Sequence, residues 1–291
     1  MDTERWDHVP FRDGDIVISS PPKCGMTWTQ MICGLLIFQT PEFPRALDAM
    51  SAWPEVLTHR LDDVLADLEA QRHRRFMKSH TPLDGLPFDD GVTYICVARD
   101  PRDVAISWDN HMSNADLGVA MAMRAAAVGM DDIDPSAPGL PERLDSVRDR
   151  FWAWMDTDET LIGLPAMSHH LSTFWQARNE PNVVLLHYDE MRTDLEGQMR
   201  GLAARLGIEV AEQRWPGLVS AATFDSMRSR ASELAPEIKL WHDPRQFFHR
   251  GASGQWRDLM DQDDLRRYAA RVRELFAPDL AEWVHRGPLT A

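Results

Sequence analysis

Short, nearly continuous apolar runs alternate along the chain with longer segments in which apolar residues recur every three or four positions. Ile16, Val17 and Ile18 form the first short run, Pro21 and Pro22 break it, and Met31, Leu35 and Phe38 then recur near helical spacing. The stretch therefore predicts strand, loop and helix over residues 15–39. Residues 75–79, 92–98 and 182–187 read as further buried strands. Leu61, Val64, Leu65 and Leu68 stand at i, i+3, i+4 and i+7, which predicts an amphipathic helix over residues 60–72 with an acidic outer face. Residues 167–179 read as another helix, and a helix from Tyr188 runs to about Leu206, where Gly207 is the stop signal. Strands alternating with helices predict an α/β fold with a central, mostly parallel sheet flanked by helices.

The 291 residues, 44% of them hydrophobic, suffice for one large α/β domain, so a single domain is expected over residues 1–291. Two stretches lack a clear pattern. Residues 40–58 hold three prolines with Phe43 and Trp53, a loop near an acceptor side. The segment at about 114–150 opens rich in Ala and Met and passes through Pro135, Pro138 and Pro141; it fits a lid over an apolar acceptor or a packed helix with a loop. Phe151, Trp152, Trp154 and Trp175 read as core more often than pocket.

A net charge of −15, from 46 acidic and 31 basic residues, makes nucleic acid and anionic membranes poor partners. Any polyanionic ligand must then meet local cations, and Lys23, Lys78, Arg99 and Arg250 are the candidates. No apolar run is long enough to span a membrane and the first residues are charged, so a cytoplasmic protein is expected. Cys24, Cys33 and Cys96 lack paired spacing and read as reduced thiols. His169 and His170 are adjacent on a helix, a poor chelate, and no metal site is expected.

The loop Lys23-Cys24-Gly25-Met26-Thr27-Trp28 opens the first helix, where unpaired amides and the positive dipole end favour an anion. Lys23 adds a full charge, Gly25 lets the backbone approach, Thr27 offers a hydroxyl and Trp28 a face for a base. The lysine precedes the glycine, the reverse of the Walker order. The loop resembles the 5′-phosphosulfate loop, YPKSGTTW, of cytosolic-type sulfotransferases, which use 3′-phosphoadenosine-5′-phosphosulfate (PAPS). Cys24 and Met26 depart from it; Cys24 reads as a plain serine replacement or a low-pKa redox thiol.

Further stretches resemble that family in its order from residue 16 to residue 257. Lys78-Ser79-His80-Thr81-Pro82 is similar to its KTHLP element, which implies His80 as the base taking the acceptor's hydroxyl proton and Lys78 as a ligand of the transferring group. Arg99 to Ser107 resembles RNPKDVAVS with its spacing kept, which implies that Arg99 and Ser107 hold the 3′-phosphate; Asp100 and Pro101 also suit a helix start. Tyr188-Asp189-Glu190-Met191 resembles YEDM, and residues 222–227 resemble TSFxxM, implying Tyr188, Thr223 and Phe224 around the adenine. Residues 247–257 resemble FxRKGxxGDWK, a loop folding over the 3′-phosphate through His249, Arg250 and Gly251; His249 and Gln255 are departures. The following RDLMDQDDLRR lacks the family's short dimer motif, and no oligomeric state is inferred.

The resemblance implies a P-loop-kinase-like sulfotransferase fold and in-line sulfuryl transfer from PAPS to an acceptor hydroxyl, with adenosine 3′,5′-bisphosphate (PAP) as product and no metal. Lys23 would stabilise the leaving phosphate. The acceptor is expected to be a small apolar alcohol such as a lipid, sterol or phenol. A nucleotide-dependent kinase or NTPase with a related core, and a non-catalytic adenine-nucleotide-binding protein, are the alternatives. Arg99 standing where a Walker enzyme needs an aspartate weighs against the first, and the joint presence of Lys23 and His80 against the second.

Overall fold

The structure is a computed structural model and describes residues 1–133, 143–157, 162–236 and 238–287. Four strands, β1 (Ile16–Ser19), β2 (Phe76–Ser79), β3 (Thr93–Ala98) and β4 (Val183–His187), form one parallel sheet in the order β2-β1-β3-β4. Register pairs Ile16 with Phe76 and with Thr93, and Tyr94 with Val183. β1 is wholly buried, as its unbroken apolar run requires for a sheet covered on both faces.

Side chains alternate across the pleat and feed two cores. Val17, Met77, Tyr94 and Cys96 pack with Phe151, Trp152, Leu171 and Phe174, whereas Ile16, Ile18, Phe76 and Ile95 pack with Met31, Leu35, Leu36 and Leu202. Because every strand runs the same way, all four carboxyl ends open on one edge. β1 leads to β2 on one side while β3 lies on the other, so the crevice between the ends of β1 and β3 is the switch point where α/β sheets bind ligands. Lys23 follows β1 and Arg99 follows β3, one on each side of it.

The helices follow local chemistry. Helix α1 spans Met26–Phe38, and Leu61–Ala70 buries Val64 and Leu68, as the spacing predicts. Pro101–Asn114 starts with the Asp100 carboxylate accepting from the Arg102 amide. Three expectations are corrected. Residues 40–58 contain a short helix, Leu47–Met50. The single helix expected from Tyr188 is two, Tyr188–Thr193 and Leu195–Arg205, because Asp194 leaves helical geometry and caps the second through the Gly197 amide. In the segment at about 114–150 the helix offered as one reading is present over residues 117–128 but has no buried residue, so it is not packed; Ser146 caps a second helix that runs past the segment, Val147–Asp156, which buries Phe151, Trp152 and Trp154 as core, and residues 134–142 lie outside the described residues. Trp175 is stacked on Trp283, 5.0 Å between centroids. Among the described residues no helix is long and apolar enough to cross a membrane.

Candidate active site

The loop after β1 reaches α1 through two left-handed residues, Lys23 at φ 71° and Gly25 at φ 116°. A lysine in that region is uncommon, and such strain gathers at functional sites. Gly25 is required twice over, since a Cβ there would also stand 3.1 Å from the Tyr188 ring. No side chain caps α1, so its first amides are left for a ligand at the positive dipole end. The loop forms one wall of a cavity of about 700 Å³ lined also by Lys78, His80, Arg99, Ser107, Tyr188, Thr223, Phe224, His249, Arg250 and Gly251. Met26, Thr27 and Trp28 are on the same wall.

Cys24 is the predicted binding residue that the structure moves off this wall. Its side chain is fully buried in the core with Val17 and Cys96, and desolvation pushes its thiol up to about 12. A low-pKa redox thiol is therefore ruled out, and only the Cys24 backbone belongs to the loop. Of the adjacent histidines, His169 lies 3.1 Å from Asp84 while His170 is buried with Nε2 3.2 Å from Ser19 Oγ.

Cations converge on the crevice. Lys23 is brought down to about 7 by desolvation, then by the charges of Arg99 and Lys78. The Lys78 ammonium lies 3.5 Å from the centre of the Trp53 ring. Arg99, 5% exposed, lies over Tyr188 at 4.2 Å and donates to the carbonyls of Lys23 at 3.1 Å and Ala252 at 3.0 Å, tying the first loop to the glycine loop. Its Nε is buried without a partner among the described residues, an orphan donor at the place where a phosphate is expected.

His80 follows β2. Its Nδ1 is 2.7 Å from the Ser20 carbonyl, which can only accept, so the ring proton sits on Nδ1 and the lone pair on Nε2. Desolvation, then the Lys78 charge, holds His80 well below the ordinary histidine value and thus neutral. Its backbone amide donates to Glu55 Oε1 at 2.5 Å, and Ser79 Oγ donates to the same carboxylate at 2.9 Å. Glu55 is fully buried and also takes the Trp6 indole N–H. A second, smaller pocket of about 30 Å³ lined by Pro82, Trp154, Met167 and His170 meets the large cavity at His80, Pro22, Trp108 and Ile162, which line both.

At the other end, Trp28 donates its indole N–H to the Ala222 carbonyl at 2.8 Å and meets Tyr188 edge-on at 5.3 Å. Thr223 caps the helix Phe224–Ser229 and donates to Ser220, so its hydroxyl is already engaged. Gly251, at φ 60°, lies so close to Phe224 that a Cβ would fall 2.4 Å from the ring. The glycine loop is clamped by Asp103, whose carboxylate accepts from the amides of Gly254 at 2.7 Å and Gln255 at 2.9 Å.

Glu55, Asp103 and His111 escape the sequence reading. His111 lies four residues beyond Ser107, one turn along the same helix, a spacing that was there to be used. Glu55 carries no such signal, because its partners are 24 to 49 positions away.

A parallel sheet with three cations, a neutral histidine and an uncapped helix start around its switch point defines a group-transfer enzyme of the α/β class acting on anionic donors. The model of the sulfotransferase domain matches residues 13–281, and the chain belongs to that family. A glycolipid sulfotransferase of Mycobacterium bovis is 40% identical over 98% of this chain and 92% of its own. An amine sulfotransferase of Oryctolagus cuniculus is 24% identical over 91% and 81%. Retinol dehydratase solved with androsterone and the inactive cofactor PAP shares the fold at a TM-score of 0.71 and 20% identity, over 93% of this chain and 82% of that one.

Proposed function

We propose that the protein transfers the sulfuryl group of PAPS to a hydroxyl of a lipid-type acceptor, with the glycolipid named for its mycobacterial relative as the first candidate. The position of neutral His80 on the wall of the large cavity that also holds Lys23, Lys78 and Arg99 carries this reading. The acceptor's apolar body would lie in the large cavity near Trp53 and Trp108 and bring its hydroxyl to His80, whose Nε2 takes the proton as the oxygen attacks sulfur. The S–O bond to the 5′-phosphate breaks as the new one forms, and the electron pair leaves with that phosphate. Lys23 and the free amides of α1 would meet this growing charge, and Lys78 would bind the sulfuryl oxygens. Arg99 and Ser107, with His249, Arg250 and Gly251, would hold the 3′-phosphate, and the orphan Arg99 Nε supports that role. Trp28, Tyr188, Thr223 and Phe224 would frame the adenine.

Calorimetry with PAP, ADP and ATP, with and without magnesium, tests the donor site. Magnesium-independent preference for PAP is expected, followed by PAP release when PAPS is offered with a glycolipid. Preference for magnesium and ATP would overturn the reading in favour of a kinase.

A further inference from the structure

His111 is a part-buried, nitrogen-bearing group on the wall of the same cavity to which the mechanism above gives no task. Lys23 Nζ lies 3.0 Å from His111 Nδ1, although 88 positions separate the two in the chain. Below about pH 7, where Lys23 is an ammonium with only donors, the imidazole accepts through Nδ1 and keeps its own proton on Nε2. The ring is held in an aromatic cage, stacked near Trp108 at 5.7 Å and tilted against Trp241 at 4.8 Å. Phe247 completes the cage, and the same ring carries the Lys23 ammonium 5.0 Å from its centre. The cation is therefore held by a lone pair and a π face. Desolvation and the neighbouring charges of Lys23 and Lys78 bring His111 down to about 2, which keeps the lone pair available.

We propose that His111 is the positioning residue of Lys23: in the donor-free protein it takes the ammonium's hydrogen bond, and donor binding must exchange that bond for one to the donor's anion. The inference rests on the reading of Lys23 as a donor ligand. Its consequence runs against intuition for a site residue, because removing the imidazole nitrogen removes a competitor and tightens donor binding.

His111→Phe keeps a ring in the cage and deletes the acceptor, whereas His111→Asn keeps an acceptor near the place of Nδ1. Calorimetric PAP binding is expected to tighten about tenfold in His111→Phe, equal to about 1.4 kcal/mol and near the low end for a hydrogen bond to a charged group. His111→Asn should stay within about twofold of the parent, and His111→Phe should change nothing in a Lys23→Met background. Equal or weaker PAP binding by a folded His111→Phe, or tightening that persists without Lys23, overturns the inference. Nitrogen-15 spectra of the parent's histidines give a readout that needs no variant. The His111 Nδ1 signal should move toward that of a free lone pair on PAP saturation, and a signal that stays put is equally fatal. A parent protein that binds no PAP instead overturns the donor reading, and this inference with it.

Discussion

The value of about 7 for Lys23 makes donor binding a proton-linked event. Desolvation and two neighbouring cations lower Lys23 to about 7 in the donor-free protein, so the ammonium that donates to His111 is present below that pH and lost above it, and a polyanion beside it raises the value again. Lys23 is charged below about pH 7 and loses its proton above it, so an anionic donor that requires the ammonium binds ever more weakly as pH rises. With the bound form staying protonated, the apparent PAP dissociation constant grows by a factor of about 50 between pH 7 and pH 9, of which about ninefold falls between pH 8 and pH 9. The phosphates of PAP are about nine-tenths ionised at pH 7 and more above it, their second pKa lying at about 6, so they add little to the change. The site histidines His80 and His111 are held neutral there, and the three cysteines are pushed upward, so they do not share the titration. Calorimetry in buffers of different ionisation enthalpy should show uptake of about 0.9 proton per PAP at pH 8, which follows from the same equilibrium. Lys23→Met should bind more weakly and flatten both profiles. A dissociation constant that stays level from pH 7 to pH 9, with no proton uptake, would refute the reasoning.

Substituting His80→Ala should lower turnover by about two to four orders of magnitude, the usual contribution of a general base, while PAP affinity changes little; full turnover on a verified acceptor would sink the assignment. Because His80 is held well below its ordinary value, kcat/KM should also show no histidine limb near pH 6.5. Arg99→Ala should erase the preference for PAP over ADP, and unchanged discrimination in paired titrations would place the 3′-phosphate elsewhere. Gly251→Ala puts a methyl within 2.4 Å of the Phe224 ring at φ 60°, so PAP affinity should fall with a modest loss of melting temperature, checked by calorimetry beside thermal unfolding.

Much of the scaffold could be read along the chain. The buried strands announce themselves as apolar runs because both faces of a parallel sheet are covered, and each is followed within a few residues by the group it presents. Lys23 after β1, His80 after β2, Arg99 after β3 and Tyr188 after β4 are local facts of strand, turn and helix start. They were legible because the chemistry of an α/β site sits where strands end. The helix over residues 117–128, rich in Ala and Met, was legible as one of two readings, but its lack of buried residues was not, and neither was the helix break at Asp194, where a side-chain cap on the Gly197 amide restarts the helix.

What the sequence by itself determined is therefore the strands of the sheet and the groups carried at their ends. Only the tertiary structure decided how those groups behave. It turned the Cys24 side chain into the core, placed Glu55 beneath the His80 amide and set Lys23 against His111. It also lowered Lys23 to about 7, because desolvation and the nearness of Arg99 and Lys78 exist only once three separate strand ends meet. Charge state and hydrogen-bond partner depend on distances through space, and those are set by the packing of the sheet rather than by spacing along the chain.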